Sequence, residues 1–183
     1  IAEKLCSDPV SDLIIETDEE VDLIPAHPGL DTLDATLGNI DITTNGDNAG
    51  GNVTLDDLSA VSNTVGTIDI TADSDVTFNT GPGAATIGAI TVSVTDGNTV
   101  NLGTVGATNG TLNGATITGA GTFSMTATDV ATVGDIDASG ASGSVTVTLN
   151  NGTGTGITYT GSTGNDDFDG TGAADTVTGG TGD

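Results

Sequence analysis

A chain of 183 residues with a net charge of −25, one lysine and no arginine lacks the cations that hold nucleic-acid phosphates, and anionic membrane surfaces repel it. Hydrophobic residues make up 34 % and aromatics 2 %, with 29 glycines and no tryptophan. That excludes a thick aromatic core, and no apolar run is long enough to insert across a membrane as a helix.

Residues 1–36 differ from the rest. They hold every glutamate, the only lysine (Lys4), the only histidine (His27), the only cysteine (Cys6) and three prolines, Pro9, Pro25 and Pro28. A lone cysteine rules out an internal disulfide. Residues 13–16 and 21–24 read as short strands. The segment is expected to cap the array that follows or to join it to a preceding domain, because an open array end recruits other strands. The start, IAEKLCSDPV, has neither an initiator methionine nor a signal-peptide core, so the chain reads as part of a larger protein.

From residue 37 to 160 the texture is repetitive. Leu37-Gly38-Asn39-Ile40-Asp41-Ile42 recurs as Val65-Gly66-Thr67-Ile68-Asp69-Ile70, as Ile87-Gly88-Ala89-Ile90-Thr91-Val92 and as Val133-Gly134-Asp135-Ile136-Asp137-Ala138. The separations are 28, 22 and 46 residues, and a degraded copy, Leu112 to Ile117, lies near the midpoint of the longest. A period of about 22 residues predicts an all-β parallel β-solenoid, one coil per repeat. The 28-residue interval is expected to carry an insertion near Asn45 to Asn52. Alternation of period two places Val76, Phe78, Val92, Val94, Val145, Val147 and Leu149 inside, with threonines between them facing out. Corners are expected at Asn45-Gly46, Asp96-Gly97, Asn109-Gly110 and Asn151-Gly152. Five or six coils at about 4.8 Å per layer make a rod roughly 25 to 30 Å long.

Catalysis is not expected. An acidic-sugar lyase needs cations that are missing here, and a hydrolase needs two carboxylates at a set separation. Asp73 with Asp75 and Asp135 with Asp137 read as same-face strand pairs, more simply explained as a solvated face or surface calcium ligands. His27, between Ala26 and Pro28, has no serine or cysteine in a recognisable setting. Threonine ladders such as Thr91, Ser93 and Thr95, or Thr146 and Thr148, suit an ice-binding face, but outward threonine is also what any soluble β-face uses.

Residues 161–183 carry the sharpest signal. They read GSTGNDDFD, GTGAADTVT and GGTGD. Gly161, Gly170 and Gly179 stand nine apart, as do Asp166 and Asp175, and Phe168 and Val177. Glycine permits the positive φ of tight turns, and a short strand then points its central side chain inward. The pattern resembles the RTX nonapeptide, G-G-x-G-x-D-x-U-x with U apolar. Ser162 and Thr171 stand where that pattern has its second glycine, and Ala173 where it has the third. The third unit begins Gly179, Gly180, Thr181, Gly182, with its aspartate expected at position 184.

The resemblance implies a calcium β-roll continuing from the solenoid, in which two nonapeptides make one turn and unit one stacks on unit three. Calcium takes six to eight oxygens from carboxylates and carbonyls. In the RTX family these come from the first, third and sixth positions, which here are Gly161, Thr163, Asp166, Gly170, Gly172, Asp175, Gly179 and Thr181. Together with the glycine-, threonine- and aspartate-rich solenoid, the chain resembles Gram-negative surface-layer proteins. That resemblance implies an exported, extracellular structural protein at the bacterial cell surface, with calcium-dependent folding and self-assembly into a lattice, other parts of the parent protein contacting surface polysaccharide. The alternatives are a segment of a secreted RTX adhesin, as spacer or ligand-binding rod, and the non-catalytic calcium module of an exported enzyme.

Overall fold

The computed structural model describes residues 13–17, 21–23, 36–44, 53–55, 64–79, 81, 83–106, 109–128, 130–150 and 155–182. Five successive coils each contribute three strands. The first has β1 (Leu13–Thr17), β2 (Val21–Leu23) and β3 (Thr36–Leu37). The second has β4 (Ile40–Thr44), β5 (Val53–Leu55) and β6 (Thr64–Val65), and the third β7 (Ile68–Ala72), β8 (Val76–Phe78) and β9 (Thr86–Ile87). The fourth has β10 (Ile90–Val94), β11 (Thr99–Thr104) and β12 (Thr111–Leu112), and the fifth β13 (Ala115–Gly119), β14 (Thr122–Thr128) and β15 (Thr132–Val133). Then follow β16 (Ile136–Ala141), β17 (Val145–Asn150), β18 (Thr158–Thr160), β19 (Asp166–Asp169) and β20 (Thr176–Thr178).

Every described pairing between these strands is parallel, as a solenoid requires. The first strands of the coils stack into an eight-stranded sheet A from β1 to β20, and the second into a seven-stranded sheet B from β2 to β19. The two-residue third strands stack into a five-stranded sheet C, β3 to β15. The segment expected as cap or linker thus supplies strands to the first coil, with Leu13 opposite Ile40 and Val21 opposite Val53.

The core is a set of columns. In sheet A, Ile40, Ile68, Ile90, Ala115, Ile136 and Tyr159 stack in register. In sheet B the column is Val53, Val76, Val100, Phe123 and Val145, and in sheet C it includes Val65, Ile87, Leu112 and Val133. All of these side chains are buried. Full burial of such a side chain contributes about 1.5 to 3 kcal/mol, so stacking identical columns is how a chain with few aromatics builds a core. Among the described residues Thr44 is the exception to outward threonine: it is buried, and its Oγ1 accepts the N–H groups of Asp73 and Ser74 at 2.9 Å each.

The recurring glycine marks the corner between sheets C and A. Gly88 donates its N–H to the carbonyl of Gly66 one coil below (2.9 Å), and a Cβ on Gly88 would strike that carbonyl oxygen. Coil length follows the register. Ile68 pairs with Ile90, Ile90 with Ala115 and Ala115 with Ile136, intervals of 22, 25 and 21 residues. The degraded copy therefore is a coil, although it does not halve the 46-residue gap, because the path between β10 and β12 is longer. Across the 28-residue coil, Thr44 and Val53 are nine residues apart where Ala72 and Val76 are four apart. The expected insertion thus falls between β4 and β5; residues 45–52 themselves, with the Asn45-Gly46 corner, lie outside the described residues, as do Cys6, His27 and the Asn151-Gly152 corner. Asp96-Gly97 and Asn109-Gly110 do turn the chain, with positive φ at Gly97 (82°) and Asn109 (61°).

Candidate metal-binding roll

Sheet C ends at β15 among the described residues, while sheets A and B continue. Among the described residues the turn from β18 to β20 has strands in these two sheets alone. Thr158 pairs with Thr176 across two nonapeptides, so a full turn shortens to 18 residues. The narrowed interior is filled by the chain's only tyrosine. Tyr159, at the top of the isoleucine column, is buried and stacks on Phe168 from β19, ring centroids 4.3 Å apart at 11°. Val177, the next member of that column, is 56 % exposed because nothing described covers it.

The nonapeptide aspartates replace apolar residues in the register. Asp166 pairs with Val145 in sheet B, and Asp175 lies beside Ile157. Both are half-buried, so each carboxylate needs donors to offset lost hydration. Asp166 receives them from the turn before it. Ser162 N–H donates to its Oδ2 (2.6 Å), Ser162 Oγ to its Oδ1 (2.6 Å), and Val145 N–H to Oδ1 from the coil below (3.2 Å). Asp175 repeats the arrangement nine residues on: Thr171 N–H to Oδ2 (2.7 Å), Thr171 Oγ1 to Oδ1 (2.6 Å) and Ile157 N–H to Oδ1 (3.1 Å). In each turn the hydroxyl itself accepts an N–H two residues later, from Gly164 (2.9 Å) and Ala173 (3.1 Å).

Burial works to raise the Asp175 carboxyl pKa, but the hydrogen bonds from Thr171 and Ile157 outweigh it and hold the group below the usual range. Tyr159 goes the other way. Its hydroxyl is buried without a hydrogen-bond partner, and burial, with the nearby Asp166 charge, pushes its pKa up. The two groups are close enough to interact electrostatically, but they do not meet in hydrogen-bond geometry.

The eight expected ligand positions fall into two groups on opposite edges of the roll. Gly161, Thr163 and Asp166 form the turn between β18 and β19, and the third unit stacks on it. Gly161 N–H donates to the carbonyl of Thr178 (2.7 Å), Gly179 lies over Gly161, Gly180 over Ser162 and Gly182 over Gly164. Thr181 belongs to this upper turn. Gly170, Gly172 and Asp175 form the turn between β19 and β20 and are not brought to the first group. Among the described residues no three carboxylate, histidine or cysteine side chains converge. In each turn the expected ligand positions offer one carboxylate, Asp166 or Asp175, with backbone carbonyls. Those are the hard oxygens calcium takes. A carboxylate offers about four acceptor directions and three are already used at each aspartate, so the set fits an ion held through one remaining direction.

The carboxylate pairs weighed for hydrolysis are occupied structurally. Asp73 and Asp75 lie at a corner rather than on a strand, because the chain turns there between β7 and β8. Asp73 accepts the Thr95 hydroxyl (2.6 Å) and Asp75 the Thr99 N–H (2.8 Å) from the next coil. Asp135, just before β16, accepts the Thr158 N–H (2.8 Å), and Asp137 the Ser139 N–H (2.9 Å). Sequence reasoning overlooked the two hydroxyls that hold the roll's aspartates. Ser162 and Thr171 counted only as departures from a glycine pattern, although each stands four residues before its aspartate. No protein-family profile, curated protein or solved structure matches this chain.

Proposed function

We propose that the chain is a structural segment of an extracellular bacterial surface-layer protein, in which calcium links stacked turns and neighbouring subunits during lattice assembly. The observation that carries this reading is the passage from a three-sided solenoid to a two-sided roll whose turn is two nonapeptides, with the third unit seated on the first. Gly161, Thr163, Asp166, Gly179 and Thr181 would hold one ion there through the Asp166 carboxylate and backbone carbonyls. Gly170, Gly172 and Asp175 would contribute on the opposite edge to a turn stacked above them. Calcium supplies a doubly charged bridge between oxygens that otherwise repel. The net charge of −25 makes any such bridge favourable for association.

The test is assembly itself. Purified protein in millimolar calcium chloride, viewed by negative-stain electron microscopy, is expected to form ordered sheets that disperse on adding EGTA. A soluble monomer under both conditions contradicts the reading.

A second reading, a secreted adhesin rod that presents hydroxyl ladders to a ligand or to ice, draws on the outward threonines. Ser124 and Thr126 stack in register under Thr146 and Thr148, and Thr91 under Thr116. Those two ladders are short, since Asp69 and Asp137 flank the second and Asp167 and Asp169 follow the first; longer columns run Thr43, Thr71, Ser93 and Thr118 in sheet A and Thr36, Thr64, Thr86, Thr111 and Thr132 in sheet C. Thermal hysteresis in a nanolitre osmometer is the measurement that favours this reading if present.

A further inference from the structure

We infer that the first two nonapeptide turns are closed by their own hydroxyl groups, so that this part of the roll folds without calcium and the ion is left to join turns or subunits. Three observations carry this. The same three bonds, hydroxyl to carboxylate, N–H to carboxylate and N–H to hydroxyl, occur in both units at the same relative positions. The O···O distances of 2.6 Å are those of charge-assisted bonds to an ionised carboxylate, which are about twice as strong as neutral ones. A third donor arrives at each aspartate from the coil below, Val145 N–H or Ile157 N–H, so three of the carboxylate's about four acceptor directions are met by the protein.

The third unit supplies the contrast. It has glycine at the second position, Gly180, with φ at 72°, and a Cβ there would run into the Ser162 carbonyl. Neither Ser162 nor Thr171 has positive φ. The two kinds of turn therefore differ in backbone as well as side chain. A glycine at the second position has an N–H to offer an aspartate four residues on but no hydroxyl, one donor fewer than Ser162 or Thr171 supplies. A serine or threonine supplies the missing donor and, through its lone pairs, an acceptor for the N–H two residues on. Ser162 is wholly buried, and its Oγ also lies 3.0 Å from the Gly143 carbonyl, which fixes the hydroxyl between the two coils.

Tyr159 is the single tyrosine in a chain without tryptophan, and it sits inside the roll, so its near-ultraviolet circular dichroism reports this region alone. The experiment compares the full chain in EGTA and in millimolar calcium chloride. The expected result is the same folded tyrosine signal in both. Loss of the signal in EGTA with recovery on adding calcium overturns the inference. Two further variants test the hydroxyl. Thr171→Val keeps the shape and removes the donor, and is expected to lower the tyrosine-reported melting midpoint in EGTA by roughly 3 to 8 °C. Thr171→Ser keeps the donor and is expected to stay within about 2 °C of the parent. Equal midpoints for all three proteins in EGTA also overturn it. The inference stands apart from the surface-layer reading: failed assembly with an intact tyrosine signal in EGTA removes that reading and leaves the hydroxyl closure standing.

Discussion

The three-sided solenoid and the two-sided roll use Asn and Asp side chains to opposite ends. In the solenoid, corner side chains reach forward: Asn39 accepts the Thr67 N–H, Asp75 the Thr99 N–H and Asp135 the Thr158 N–H, each from the next coil. In the roll, Asp166 and Asp175 reach back to the coil below and inward to their own turn. The solenoid has apolar columns on three sides, so its corners need only satisfy stray backbone donors. The roll has lost one sheet and carries aspartate where a valine column ran. Its turns must be closed by polar groups because too little apolar surface remains to close them.

If that contrast is right, equivalent changes in the two regions will differ in cost. Phe123→Ala removes a fully buried ring in the middle of the sheet B column and is expected to cost about 3 to 5 kcal/mol in urea denaturation followed by far-ultraviolet circular dichroism. A cost under about 1 kcal/mol would mean the column is not a packed core. Gly88→Ala drives a methyl into the Gly66 carbonyl and is expected to cost about 1 to 3 kcal/mol, whereas Gly179→Ala, with nothing within 4 Å, should stay within about 0.5 kcal/mol. Equal losses at the two glycines would erase the distinction between a crowded solenoid corner and an open roll end. Phe168→Ala, at a half-buried ring stacked on Tyr159, should cost about 1 to 2 kcal/mol and show mainly in the tyrosine signal.

The smallest expected effect is in the solenoid and concerns pH. The Ser139 hydroxyl and N–H hold Asp137 below the usual carboxyl range, against a small opposing effect of burial. A depressed folded-state pKa means that the group adds stability above its unfolded pKa and loses it as pH falls through the folded value. Because Asp137 is exposed, solvent screening limits the gain to a few tenths of a kcal/mol. Its carboxyl carbon, followed by NMR, should titrate below that of an Asp in a short peptide; coincident curves would remove this hydrogen bond from the account.

Much of this fold was legible in the residues, for physical reasons that also explain the gaps. Leu37-Gly38, Val65-Gly66, Ile87-Gly88 and Val133-Gly134 announce a corner because close coil approach there demands glycine, and the inward isoleucines and valines of β4, β7 and β10 follow at period two. Sheet C was invisible, since strands of two residues, such as Thr86–Ile87, cannot show an alternation. The unequal coils around β12 were hidden because Gly114 is displaced one place from its counterparts and Ala115 replaces isoleucine. At the roll, the resemblance to the RTX nonapeptide implied that unit one stacks on unit three, and those two units do stack. It did not announce how they close, because a pattern written in glycine registers a hydroxyl only as a mismatch.

The most direct measurement of the account is amide hydrogen exchange by NMR on the full chain in EGTA. Closure by hydroxyl and carboxylate predicts that the N–H groups of Ser162, Gly164, Thr171 and Ala173 exchange slowly, with protection approaching that of Val92 and Val147 in the solenoid core. Fast exchange at those four amides in EGTA, turning slow only when calcium is added, would contradict it.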